Sequence, residues 1–133
     1  MPTLSAFDYA TIRVVPRVER GEFINAGVIL FCRTQRFLAA QIELDRQRLQ
    51  ALAPYLDPAT VQEHLDLIPR VCAGGKDSGP IGALSLSERF HWLVAPRSTI
   101  IQTAPVHGGL CADAGAMLDH LLEVLVRLPQ PAA

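Results

Sequence analysis

Lysine is almost missing from this 133-residue chain: Lys76 is the one lysine among twelve basic residues, and the other eleven are arginines. Thirteen acidic residues leave a formal net charge of −1. That balance argues against a general nucleic-acid binder, because such binding rests on a surplus of cations over the phosphates. Cysteine is equally scarce. Cys32, Cys72 and Cys111 lie far apart, with no CxxC or Cys/His cluster, so neither a disulfide framework nor a zinc site is indicated. No window approaches the run of about 18 apolar residues that a spanning helix needs. The N-terminal MPTLSAFDYA has no charged region followed by an apolar stretch, so it does not read as a signal peptide, and a cytoplasmic setting is expected. There is also no internal repeat, long linker or low-complexity segment.

What the chain has in quantity is apolar surface. Half of its residues are apolar and its mean hydropathy is +0.24. Two explanations fit: an unusually full core, or apolar surface that a partner or a second copy covers. The length suits one core, so residues 1–128 are expected to form a single α+β domain followed by a short tail over 129–133.

Residues 7–15 alternate, with Ala10, Ile12 and Val14 on one side and Tyr9, Thr11, Arg13 and Val15 on the other, the pattern of a half-buried strand. Pro16 ends it by removing an amide donor. Charged residues 17–22, including Gly21, suit a hairpin connection. Residues 23–32 (FINAGVILFC) are nearly unbroken apolar and suit a central strand buried on both faces. A polar turn over 33–36 leads to a third alternating segment, 37–44. Three strands with short links form an antiparallel meander, the most apolar in the middle.

Helical signals follow. Asp45 opens a short helix to Ala53, and Asp57-Pro58 opens a second with a stripe of Val61, Leu65, Ile68 and Cys72. Pro69 is expected to interrupt that helix and Gly74-Gly75 to close it. Residues 76–80 read as a loop, 86–94 as a short helix carrying Phe90, Trp92 and Leu93, and 98–103 as a fourth strand. Residues 106–112 read as a Gly-rich loop. Asp113 caps a last helix, expected to run to Leu128, whose outer Asp119, Glu123 and Arg127 stand at four-residue spacing. The fold class is therefore α+β: a mostly antiparallel four-stranded sheet, the N-terminal meander plus one later strand, covered by two to three helices.

Few polar residues depart from scaffold. Asn25 lies inside the apolar strand, and a buried amide must be hydrogen-bonded, to a neighbouring loop or to a ligand. Gly27, two positions on, leaves room on the same face, and equally suits a bulge or a close helix. An Arg97-Ser98 pair at a strand start, with Gln102 and His107 beyond it, suits an anion such as phosphate. Arg13, Glu22, Asn25, Arg97, Ser98, Gln102 and His107 are the candidate ligand contacts, placed where the hairpin meets the fourth strand. Ser98, Cys72 or Cys111 can be paired on paper with His91 or His107. No nucleophile elbow or recognisable Cys/His signature supports such a pairing, so no catalytic residue, metal or cofactor is assigned.

Three stretches carry a family resemblance: DYATIRVVPRVERGEFINAGVILFCR (8–33), FLAAQIEL (37–44) and RFHWLVAPRSTIIQTAPVHGGLC (89–111). In order, they resemble a bacterial family known as domain of unknown function 3037. The most specific pieces are GEFINAGVIL (21–30) and APRSTIIQTAPVH (95–107). The resemblance carries no established activity or catalytic residue. It implies a bacterial cytoplasmic setting and a neighbouring HipA-type kinase-like protein, hence an accessory or regulatory partner. Two functions are carried forward. One is a non-enzymatic interaction module that binds a protein partner or a second copy. The alternative is a small enzyme or ligand-binding domain for an anionic, phosphate-bearing molecule.

Overall fold

In a computed structural model, which describes residues 3–75 and 78–129, the alternating first segment forms β1 (Ser5–Val14). A hairpin with a 3-10 turn at Val18–Arg20 and a left-handed Gly21 (φ 69°) returns the chain into β2 (Ile24–Cys32). A second tight turn, with Arg36 at φ 51°, leads into β3 (Phe37–Ile42). All three pair antiparallel as the expected meander. Every residue of β2 except Asn25 is buried, because helices pack on both sheet faces.

The fourth strand is shorter than its sequence suggests and a fifth exists. The 98–103 segment contributes only β4 (Ile101–Thr103). Its first residues are held in a bend by Thr99, whose hydroxyl donates to the Ile101 carbonyl (2.7 Å) and whose carbonyl accepts from Gln102 Nε2 (2.9 Å). The 106–112 segment is not a loop: His107–Cys111 form β5, antiparallel to Ser5–Tyr9. β4 and β5 lie in tandem along the same edge of β1, with Pro105 in the break between them. The sheet order is β3-β2-β1-β4, with β5 also on β1.

Helices α1 (Arg46–Leu52), α2 (Pro58–Ala73) and α3 (Leu86–Val94) cover one face. Each start is capped: Asp45 accepts from Arg48 N, Asp57 from Ala59 N, and Ser85 and Glu88 form a reciprocal capping box. Pro69 does not interrupt α2, which runs through it to Ala73. Proline removes one amide donor within the helix, and burial of Val71 and Cys72 in the core beyond it holds the last turn in place. Gly74 (φ 72°) closes the helix, and the buried Arg89 of α3 donates from Nη1 to the carbonyls of Val71 (3.1 Å) and Cys72 (2.9 Å). A cation is favourable at that end of a helix. The loop expected over 76–80 is described only from Ser78, and Pro80–Ala83 form a 3-10 turn. Lys76, Asp77 and residues 130–133 of the expected tail lie outside the described residues.

Helix α4 (Ala114–Leu125) is the cover of the other face and packs on β2 and β3. It stops short of Leu128, which is exposed. Two cores result. Ile12, Ile29, Leu49, Leu65 and Phe90 centre the first, and Leu30, Cys32, Leu118 and Leu122 the second. Each such side chain, fully buried, contributes roughly 1.5–3 kcal/mol of transfer free energy.

Candidate functional site

A wide concavity lies on the first face, where α2 and α3 diverge from the Pro80–Ala83 turn and the approach to β4. It encloses about 650 Å³, within the range of ligand clefts. Its floor is Ile68, Val71 and Leu93. Three large apolar side chains on its rim stay open to solvent: Leu67 at 50%, Trp92 at 41% and Ile100 at 38% exposure. They are there because the helices bury a neighbouring stripe. Leu67 stands off the Val61–Leu65–Cys72 side of α2, and Trp92 precedes the buried Leu93 of α3.

Arg97 fixes one wall. Its Nη1 and Nη2 donate to the carbonyls of Leu93 (3.2 Å) and Trp92 (2.7 Å) at the end of α3. Its guanidinium lies 4.5 Å from the centre of the Trp92 ring. Those contacts occupy part of a group with five donors and leave its charge at the rim. The other polar lining comes from His64, Ser78 and Thr99, and among the described residues no carboxylate lines the groove. The wall is apolar with a positive edge.

A second polar place lies on the opposite sheet face, beside α4. Arg13 of β1 pairs with Asn25 of β2 on one side and Gln102 of β4 on the other. Cross-strand partners share a face, so the three stand in one row. A bulge at Ala26–Gly27 makes this possible: Arg13 pairs with Asn25 where the preceding Ile12 pairs with Gly27. The bulge shifts the alternation, so Asn25 joins the α4 side while Gly27 faces the first core. The expectation that Asn25 and Gly27 share a face is thereby corrected. A Cβ on Gly27 would stand 2.6 Å from the Gln41 carbonyl and 2.9 Å from Ile42 Cδ1, so only glycine fits between these strands.

The Arg13 guanidinium stacks 4.0 Å over the Phe23 ring. Asn25 Nδ2 donates to the Leu125 carbonyl at the end of α4 (3.0 Å), which answers the question of the buried amide in part. Two buried atoms of the row, Arg13 Nε and Asn25 Oδ1, have no partner among the described residues. His107 stands farther along the same face, its ring 5.8 Å from that of its cross-strand partner Tyr9.

The seven candidate residues therefore divide. Arg13, Asn25 and Gln102 come together in the row, and His107 shares their face at a distance. Arg97 belongs to the groove, and Ser98 is exposed beside it. Glu22 pairs with Arg20 at the hairpin, on a cleft of about 340 Å³ that Tyr55 also lines. The Cys–His pairings do not form. Burial pushes the Cys72 thiol up to about 12, so it stays protonated. Burial, with Cys32 nearby, raises that of Cys111. His91 is held by its own helix, Nδ1 lying 2.7 Å from the Ser87 carbonyl. Leu67, Trp92 and Ile100 were absent from the candidates. The one signal for them was position: a leucine off its helix's buried stripe, and a tryptophan beside rather than on it.

No helix among the described residues is long and apolar enough to cross a membrane. No curated protein and no solved structure matches the chain. The family described as protein of unknown function, DUF3037, matches residues 9–126. That match spans both faces of the sheet and all four α-helices, and the chain belongs to the DUF3037 family.

Proposed function

We propose that this domain is a non-enzymatic interaction module, and that its α2–α3 groove takes an acidic, amphipathic segment of a partner protein. The observation that carries this is the convergence of Leu67, Trp92 and Ile100, all substantially exposed, on one groove. Exposed large apolar side chains gathered in a cleft are a usual mark of a docking site. The occupant follows from charge: among the described residues the lining's ionisable groups are Arg97 and His64, and Arg97 sets a positive edge that suits an acidic flank. The protonated thiols of Cys72 and Cys111 and the helix-bound His91 support a binding role over nucleophilic chemistry.

The test uses the chain's one tryptophan. The first partner to try is the HipA-type kinase-like protein suggested by the family resemblance. Co-purification should yield a complex, and its formation should shift Trp92 emission to the blue as the ring leaves water. Leu67→Asp should abolish both. A complex that forms as well with Leu67→Asp sinks this reading.

A second reading, an anionic small molecule at the row, draws support from Arg13, whose guanidinium is stacked on Phe23 and has no carboxylate partner among the described residues. Chemical-shift changes at Asn25 and Gln102 on adding inorganic phosphate, lost in Arg13→Met, would favour it. Phosphate shifts that map to Arg97 or to no residue would count against it.

A further inference from the structure

The two long edges of the sheet are finished differently. On the β3 edge, α2 packs from one face and α4 from the other, and all six strand residues are buried or half-buried. On the β5 edge four of five residues, His107 to Leu110, are exposed. Sheet edges are ordinarily protected by a charged side chain, a proline or a covering element, because their unpaired amides and carbonyls invite another strand. β5 carries no Lys, Arg, Asp, Glu or Pro. Pro105 lies outside it, between β4 and β5.

The surface beside that edge is bare and, Asp8 apart, apolar. Leu110 pairs with Ala6, and Gly108 with Asp8, on the side of the sheet that α1 to α3 cover elsewhere. At this end the helices do not reach, and Ala6, Asp8, Gly108 and Leu110 are all exposed. Leu110 is 61% exposed, and Leu4, just before the Ser5 that pairs with Cys111, is 57% exposed. These are large values for leucine.

We infer that β5 is the interface at which two copies of this chain join, edge to edge, into one continuous antiparallel sheet. A strand paired antiparallel with itself about a two-fold axis is self-complementary by construction, since residue i meets j and j meets i. Such an axis must pass through a self-paired residue. Centred on Gly109, the middle residue, it pairs all five positions: His107 with the partner's Cys111, and Gly108 with the partner's Leu110. The two leucines then lie over the two glycines, each filling space that the glycine leaves empty beside it. An uncharged strand meets its copy without like-charge repulsion, and the paired edges satisfy amides and carbonyls that otherwise face water. A second copy is favoured over a foreign peptide because the leucine-against-glycine complement is present within β5 itself. The surface is distinct from the α2–α3 groove, so this assembly and the groove's occupancy are separate matters.

Sedimentation equilibrium on the full chain, across low to high micromolar concentration, tests this directly. The wild type should be a reversible dimer. Leu110→Lys, at a site that contributes little to the core, should keep the wild-type circular dichroism and raise the dissociation constant by about tenfold or more. Val124→Lys, at an equally exposed apolar position on α4, and Leu67→Asp, in the groove, should remain dimeric. A wild type that is monomeric throughout, a dimeric Leu110→Lys, or a dimer lost in Leu67→Asp would each overturn the inference. Should Leu110→Lys fail to fold, hydrogen exchange of the wild type decides instead. Protection of the 107–111 amides that rises with protein concentration supports the edge pairing, and protection independent of concentration refutes it.

Discussion

The two faces of the sheet are built to different degrees of completion. On the first, three helices cover β2, β3 and the C-terminal half of β1, and Leu49 and Leu65 reach zero exposure. On the second, α4 covers β2 and β3 and leaves Tyr9, Thr11 and Arg13 of β1 half-open. The difference teaches where this fold can hold polar groups. The face roofed by three helices buries a single ion among the described residues, Arg89, whose Nη1 is tied to two helix carbonyls while its Nε has no partner among those residues. A face roofed by one helix leaves a margin, and the Arg13–Asn25–Gln102 row occupies it. Where the first-face helices themselves part, the result is an apolar groove.

The largest test of that contrast is truncation on each side. Leu65→Ala removes a side chain with zero exposure from the complete face and should cost about 4 kcal/mol. Leu121→Ala, at 8% exposure beneath α4, should cost about 2 kcal/mol, because its surroundings can close over the space or admit water. Urea denaturation measures both. Equal losses would mean that the second face is packed as tightly as the first, whatever its roof.

Next in size is Gly27→Ala, which strikes the bulge that hands Asn25 from one face to the other. Its new Cβ meets backbone of β3 rather than the tip of a flexible side chain, so the strands must part. A loss of about 2–3 kcal/mol is expected. Loss of the Asn25–Leu125 bond in the same variant should show as altered Asn25 side-chain amide resonances. A neutral Gly27→Ala would mean that the β2–β3 spacing is looser than the geometry requires.

The meander, the α+β class and every helix start were legible, because each rests on a local rule: alternation, a proline, or an Asp or Ser cap. What was not legible depends on partners distant in the chain. His107-Gly108-Gly109 has too few side chains to alternate, so nothing local separates β5 from a loop. Its strand form comes from pairing with Ser5–Tyr9. Gly27 offered a bulge as one alternative, but nothing local chose it, since FINAGVIL reads as a strand whichever way Asn25 turns. Pro69 misled in the other direction: a local rule for stopping a helix yielded to burial of the turn beyond it. Of the seven candidate residues, Arg13, Asn25 and Gln102 meet in one row. The groove was not legible, because it is defined by which apolar residues the helices fail to cover.

A smaller effect concerns charge on the first face. Cys72 is lifted by burial from 9.0 to about 12. In the unfolded chain the thiol ionises from about pH 9 upward, while the folded protein keeps it protonated. The unfolded state therefore binds fewer protons above pH 9, and stability falls as pH rises toward 12. The thiol's contribution is fully present below pH 8 and about 1 kcal/mol of it is lost between pH 9 and pH 10. Cys72→Ala should flatten that part of the pH–stability curve in urea titrations. An unchanged slope would place the alkaline sensitivity elsewhere.

The smallest expected effect is on the second face, at its most charged point. Arg127, just beyond α4, donates to both carboxylate oxygens of Glu43 (2.9 and 3.1 Å) and to Glu123 (2.6 Å). These partners push its pKa up. The cluster looks like a clamp fastening the end of α4 to the chain after β3. All three side chains are nonetheless 44–56% exposed, where water and salt screen the attraction and ordering long side chains offsets much of it. Arg127→Ala should leave the thermal midpoint at physiological salt within the scatter of the measurement. What holds α4 to the sheet is then Leu118, Leu121 and Leu122 against Leu30 and Cys32. If the midpoint drops clearly, and drops less in high salt, the half-roofed face depends on its charged margin for stability as well as for the polar row it leaves open.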